Sequence, residues 1–323
     1  VSTCLNCIRA VVLSLLLALT GTAMAQSAPT ARIVVGFPPG QSVDVIGRLL
    51  AEQLGPALGQ TFIVENMPGQ GGSIALAAVA RMPADGSALA LAAAAALAGN
   101  PFLYSNVRYD SLKDFTPIGL VYDAPLVLLV NASSSARTVR DVVALAKASP
   151  GKLTFSSPGN GTVSHLAMTE FARRAGLDMI HVPYQGSAKS LTDLAGGIVQ
   201  LSFDTIVAAQ PYINSGKLHA IAVSSAERVA LLPDLPTVAE AGFEGFDMVP
   251  WVAMVAPAGL PSANVERLNA EVMKIVRSDA FASRMNALGA RPRPGTAAAF
   301  DAFLKREVAR WGEAVKRSGA KLD

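Results

Sequence analysis

The chain alternates short apolar runs with stretches of helical period, and it does so twice in the same order. Residues 33–35 are apolar and predict a buried strand. A turn of Pro, Gly and small polar residues follows (GFPPGQSV, residues 36–43). From 44 to 54 the apolar positions Val45, Ile46, Leu49, Leu50 and Leu54 then share one helical face. Residues 153–171 repeat the succession with an apolar strand, a Pro-Gly turn (SPGNGT, residues 157–162) and a second helix start. The echo continues downstream. In the first unit, residues 62–64 and 89–91 predict further strands, separated by a Gly-rich loop (65–72), a helix over 73–81 and a turn at 83–86. In the second, residues 181–183 and 199–203 predict strands on either side of a helix from Ser187. This order supports two α/β units of shared topology, against the alternative that βα units resemble one another everywhere.

The remaining pattern connects the units. Residues 121–130 are apolar with an Asp-Ala-Pro break and read as a first crossing; residues 251–255 read as the return. A helix is predicted over 141–147, closed by Ser149-Pro150-Gly151, and a strand over 220–223. Loops are predicted at 233–236 and 242–245, and amphipathic helices over 265–276 and 300–315. The Ala-rich residues 89–98 read as a buried strand and its exit. One lobe is therefore expected from residues 27–122 plus 249–323 and the other from 123–248. Two crossings make a hinge, and a hinge beside a cleft is a ligand-trapping device.

The length of 323 residues suits two domains or one large one, and a hydrophobic content of 51% is ample for their cores. The formal charge of +3 is dispersed, and no Lys/Arg run interleaves with aromatics, so nucleic acid is not an expected partner. At the N-terminus Arg9, the apolar residues 10–20 and the small residues Ala23 and Ala25 read as a signal peptide over 1–25, hence a periplasmic location. The apolar run is short of the ~20 residues of a spanning helix. Cys4 and Cys7, the only cysteines, both fall in that segment, so no disulfide or thiol chemistry is expected of the mature chain.

The two Pro-Gly turns carry the candidate chemistry. A turn between a strand and a helix start aims free backbone N–H groups forward, which suits an anion. Gly40, Gly159 and Gly161 permit close backbone approach. Ser42 and Thr162 are read as helix caps or ligand contacts, and Gln41 offers an amide donor. Ser42 or Asp44 is the expected N-cap of the first helix. Asp44 reads as a cap or loop-former, since its charge repels a carboxylate, and Asp204 as an acceptor for a ligand NH or OH. His165 falls in a first helical turn, where the dipole disfavours the imidazolium. His181 and His219 read as structural. The three histidines show no metal-ligand spacing, so no metal or cofactor is expected. A hydrolase is the main rival among enzymes, but there is no G-x-S-x-G elbow. Ser149 and Lys152 have S-x-x-K spacing within a turn rather than a helix.

Taken in order, many short segments carry a resemblance. They are VGFPPG (35–40) with Asp44, ENMPGQGG (65–72), PADG (83–86), Asn100-Pro101 and KDFTP (113–117). Then follow PGKLT (150–154) running into GNGT (159–162) and His165-Leu166, and HVPY (181–184) with Gly186 and Phe203-Asp204. The last are LPDLPT (232–237) with AEAG (239–242), APAG (256–259) and Arg310-Trp311. With these the chain resembles the Bug family, the periplasmic solute-binding proteins of tripartite tricarboxylate transporters. The resemblance implies an α/β, two-lobed class II periplasmic-binding-protein fold. It also implies capture of a small organic acid, no enzymatic turnover, and membrane permease subunits as partners of a monomeric receptor. It places Phe37, Gly40, Ser42 and Asp44 on one carboxylate-clamping loop and Ser156, Gly159, Gly161, Thr162 and His165 on the other; Gln41 and Asn160, within the same two turns, are further candidate ligand contacts. Asp204 falls where some relatives meet a ligand amino group or hydroxyl. An extracytoplasmic sensor adaptor is the alternative role on the same fold. Gln41 in place of a usual Gly, and Val43, Ala92 to Ala96, Gln185 and Lys189, depart from the family pattern, so the identity of the acid is not carried over.

Overall fold

The computed structural model describes residues 30–318, and the signal peptide expected over 1–25, with Cys4 and Cys7, lies outside the described residues. Along the chain β1 (Thr30–Val35) leads into α1 (Ser42–Leu58), β2 (Thr61–Asn66), α2 (Ser73–Val79) and β3 (Ala88–Ala93). The Ala-rich run leaves β3 through a π turn over Ala95–Gly99 into the short α3 (Asn100–Leu103). β4 (Phe115–Asp123) crosses directly into β5 (Leu126–Asn131). There follow α4 (Val139–Ala148), β6 (Thr154–Ser157), α5 (Val163–Ala175), β7 (Ile180–Pro183), α6 (Ser187–Ala195), β8 (Leu201–Thr205), α7 (Ile206–Asn214) and β9 (Leu218–Val223). The chain returns through β10 (Trp251–Pro257) to α8 (Ser262–Val276), α9 (Asp279–Ala287), β11 (Arg291–Pro292) and α10 (Ala297–Ser318). No helix of the described residues is long and apolar enough to cross a membrane.

Two sheets result. The first has the order β11-β4-β10-β3-β1-β2, with β1 parallel to β2 and β3, and β10 antiparallel to β3 and β4. The second has the order β7-β6-β8-β5-β9, with β6 parallel to β7 and β8, and β5 antiparallel to β8 and β9. Read from the β2 and β7 edges, the first five strands of each match in order and direction, and only β11 has no counterpart. β10, which the first lobe receives after the return crossing, takes the place that β5 takes in the second. Strands covered on both faces read as continuous apolar runs. β3 and β8 are buried nearly throughout, which is why short apolar runs located them.

Local chemistry explains where expectation and structure part. The cap position of α1 is Gln41, not Ser42 or Asp44, and no side chain caps it. Asp44 instead turns back, and its carboxylate accepts the Gly40 N–H at 2.9 Å. α1 also runs past Leu54 to Leu58, because Pro56 falls in its last turn and Gly59, at φ +65°, closes it. α4 begins earlier than expected, on a capping box between Thr138 and Asp141. The pattern alone does not predict α7, which carries Pro211 in its interior, or the short α9.

The crossings are tied to each other. The Ala124 N–H donates to the Pro250 carbonyl at 2.9 Å. Ser224 knits both strands: its Oγ accepts the Leu126 N–H at 3.0 Å and donates to the Met248 carbonyl at 2.8 Å. In the first lobe α10 is anchored through Glu307, a buried acceptor. Its Oε2 receives the indole N–H of Trp251 at 2.9 Å and of Trp311 at 3.3 Å, and Arg310 at 2.8 Å. These are the chain's two tryptophans. Glu307→Ala strands two indole donors and is expected to lower stability by about 1–3 kcal/mol in urea unfolding. A change in tryptophan emission should accompany it, and Glu307→Gln, which keeps an acceptor, should cost less.

Candidate functional site between the lobes

A cavity of about 480 Å³ lies between the lobes, and four helices begin at its wall. α1 brings Gln41, Ser42 and Val43, and α5 brings Thr162, Val163 and Ser164. α6 brings Gly186, Ser187 and Ala188, and α7 brings Thr205, Val207 and Ala208. Each helix follows a strand (β1, β6, β7 and β8) through a short loop, so all four start at the same end of their sheets. The first N–H groups of a helix have no partner within it, and they sit at the positive end of its dipole. Between these ends the wall is largely apolar, with Phe37, Ala93, Ala95, Leu126, Leu191 and Val252. Among the described residues no Lys, Arg or His lines it, and Asp204 is its one acid.

Asp204 is fully buried. Its Oδ1 accepts the Ser187 hydroxyl at 2.8 Å and the Thr205 N–H at 2.7 Å, and its Oδ2 has no partner. Burial pushes the carboxyl up to about 7, although those donors pull the other way. The Tyr122 hydroxyl is also buried without a partner; Ser42 lies beside it without meeting hydrogen-bond geometry.

Of the residues expected at the ligand, Phe37, Gly40, Gln41, Ser42, Thr162 and Asp204 line the cavity. Asp44, Ser156, Gly159, Asn160, Gly161 and His165 do not, and each has a physical reason. Asp44 is buried behind the first loop, held by Gly40, by Asn66 at 2.9 Å and by Arg48 at 2.9 Å. Burial raises its pKa, but Arg48 and these donors outweigh that and leave it below the ordinary value. Ser156 is inside the second sheet, where its Oγ accepts from Ser190 at 2.8 Å. Residues 159–161 swing away toward the first lobe. The Gly159 carbonyl accepts the Thr162 hydroxyl at 2.8 Å, and the Asn160 carbonyl accepts the Tyr104 hydroxyl at 3.1 Å. Gly161, at φ +74°, lies so close to Asn100 that a Cβ there would sit 2.6 Å from Oδ1. On the other side of the cavity Gln41 packs directly on Gly186.

His165 stands behind the loop. Its Nδ1 accepts the Gly161 N–H at 3.3 Å, and its ring stacks on His181 with centroids 3.9 Å apart. His181 in turn meets the Ser157 hydroxyl at 2.7 Å. Tyr122, Ser187 and Thr205 were absent from the expected set. The Gly186-Ser187 turn after β7 carries the same strand–turn–helix signature as the other two and was the available signal. Lys189, flagged as a departure near the cleft, is exposed and pairs with Asp193 at 3.7 Å. Among the described residues no group of three or more His, Cys, Asp or Glu could hold a metal ion.

Comparison with known proteins places this geometry. Residues 46–320 match the family described as the tripartite tricarboxylate transporter family receptor. Protein BugT of Bordetella pertussis is 35% identical over 317 residues, 96% of this chain and 97% of its own length. Among solved structures, Rpa4515 of R. palustris with adipate is 34% identical, with a TM-score of 0.87 over 91% of this chain and 99% of that one. MatC from Rhodopseudomonas palustris with bound malate is 30% identical, with a TM-score of 0.83 over 89% of this chain and 99% of that one.

The stacked histidines make a pH prediction. Burial holds His165 down at about 4 and His181 at about 3, the latter also through His165, against an ordinary value of 6.5. Both are neutral in the fold, as the accepting Nδ1 of His165 requires. Below pH 6.5 the unfolded chain takes up protons that the folded one refuses. Their contribution to stability is therefore complete above that value and falls as pH drops toward 3. Asp204 has the opposite sign, losing stability as pH rises from 3.8 toward 7. The histidine part appears as a difference: His181→Phe, which keeps a stacked ring, should lose less thermal stability on acidification than the parent. Parallel melting-temperature curves would show that His181 takes up no proton on unfolding.

Proposed function

The chain belongs to the tripartite tricarboxylate transporter receptor family, whose members are periplasmic binding proteins, and from that premise we propose that it captures a small organic acid between its lobes. In this reading residues 1–25 direct export and are removed, and the loaded receptor delivers its acid to membrane permease subunits. The observation that carries the reading is the meeting of α1 and α5, one from each lobe, at a cavity without a cation. A carboxylate there receives donors from both lobes: the Ser42 hydroxyl and the first N–H groups of α1 at Ser42 and Val43, and those of α5 at Val163 and Ser164. Charge-assisted bonds contribute roughly 1.5–3 kcal/mol each, and each helix N-terminus adds about 0.3–1 kcal/mol. A handful reaches the ~−8 kcal/mol of micromolar binding. Two relatives solved with adipate and malate support the ligand class. Binding without turnover is also part of the proposal. Ser156 and His165 form no nucleophile–base pair, since Ser156 meets Ser190 while His165 meets Gly161 and His181.

Calorimetry with a panel of organic acids and their amides tests the reading. At least one acid should bind with micromolar affinity and its amide should not; binding by amides alone would sink it. Gly161→Val adds a second check. Its bulk falls on Asn100 rather than in the cavity, so it should hold the lobes apart and lower affinity at least tenfold while urea unfolding stays cooperative. Unchanged affinity would show that this contact is not needed for capture.

A further inference from the structure

Asp204 takes up part of what the helices offer. Its Oδ1 accepts the Ser187 hydroxyl at the start of α6 and the Thr205 N–H at the cap of α7, so those two helix ends already face a carboxyl group of the protein itself. The ends left for a ligand anion are those of α1 and α5. α5 has no acid in its first turn, and Asp44 of α1 is matched by Arg48. That is provision for one carboxylate. A second would be buried against an apolar wall with no counter-charge and in the company of Asp204, where desolvation is costly and repulsion adds to it. What the wall does offer there is unfilled hydrogen-bonding capacity. Asp204 Oδ2 and the Tyr122 hydroxyl are both buried without a partner at the cavity. A buried polar atom left unpaired is a standing penalty that a ligand donor removes.

Resting on the reading of the cavity as an organic-acid site, we propose that it selects acids with a single carboxylate, an apolar body and an uncharged hydrogen-bond donor remote from that carboxylate, and that it rejects dicarboxylates. The carboxylate sits at the α1 and α5 ends, the body lies along the apolar wall, and the donor hydroxyl reaches Asp204 Oδ2 with Tyr122 beside it. Burial raises the Asp204 carboxyl to about 7, so in mildly alkaline buffer it is an anionic acceptor that welcomes a hydroxyl and repels a carboxylate.

Two series of acids that differ only at the far group test this by calorimetry at mildly alkaline pH. The chain series is hexanoate, 6-hydroxyhexanoate and adipate; the ring series is benzoate, 4-hydroxybenzoate and terephthalate. Hexanamide and benzamide are the uncharged controls. The hydroxy acid should bind tightest in at least one series, with the diacid of that series at least tenfold weaker. In Asp204→Asn, which keeps an oxygen for Ser187 and Thr205, the diacid should gain at least tenfold relative to the hydroxy acid. Tyr122→Phe, whose lost hydroxyl holds nothing in the fold, should cut the hydroxy-acid advantage over the plain acid severalfold. A diacid that binds the parent protein as tightly as the hydroxy acid in both series overturns the selection and leaves the organic-acid reading standing. Amides that match their acids, or no binding in either series, overturn that reading and the selection with it.

Discussion

Backbone N–H groups at helix starts have to find an acceptor, and four helices of this protein start at one cavity. Much of the local structure follows from how that demand is divided. Where the N–H group belongs to the scaffold, the protein supplies the acceptor itself: the Asp44 carboxylate for Gly40, His165 Nδ1 for Gly161, Asp204 Oδ1 for Thr205. Where an acceptor is withheld, the donors are left to the space between the lobes. The α1 and α5 ends thereby offer an anion their partial positive charge without a buried Lys or Arg, which avoids the desolvation cost of a fixed charge.

The fold was legible because its periodicities are local. A three-residue apolar run, a Pro-Gly turn and a helical face recur, and the matching orders β2-β1-β3-β10-β4 and β7-β6-β8-β5-β9 are the spatial form of that repetition. Sequence reading was weaker wherever a residue's role depends on which way its loop turns. Gly159, Asn160 and Gly161 looked like the counterpart of the first loop, but the arc bends toward Asn100 and Tyr104 and spends its polar groups on Thr162, Tyr104 and His165. Asp44 and His165 were adjacent to the expected site in sequence and lie behind it in space. Tyr122 sat in a segment whose apolar character announced only a crossing. Its free hydroxyl exists because the hinge passes the cavity, a fact of tertiary structure. Pro211 hid a helix for a different reason: a nine-residue helix can lose an internal hydrogen bond and survive on the packing of Ile206 and Ala209.

Contacts between the lobes use small residues where backbone must come close. Gly161 receives Asn100, and Gly186 receives the side chain of Gln41. Gln41 thus joins the two lobes as well as lining the cavity, so its departure from the family pattern bears on both the lobe contact and the site. Beneath these contacts Ser224 binds the two crossing segments to one another, beside the hydrogen bond from Ala124 to Pro250.

The exchange of strands across the crossings also sets an order of assembly. Every strand of the second sheet lies within residues 126–223, so that sheet can form as soon as this stretch of chain is available. The first sheet cannot. β10, the strand between β3 and β4, arrives only at Trp251, and β11 only at Arg291. Until then β1, β2 and β3 are three strands with an apolar edge and no neighbour, and β4 has nothing to pair with. Pairings of such long sequence separation form slowly. The sheet that begins first along the chain is therefore the one completed last, around a second sheet whose strands are all contiguous in sequence.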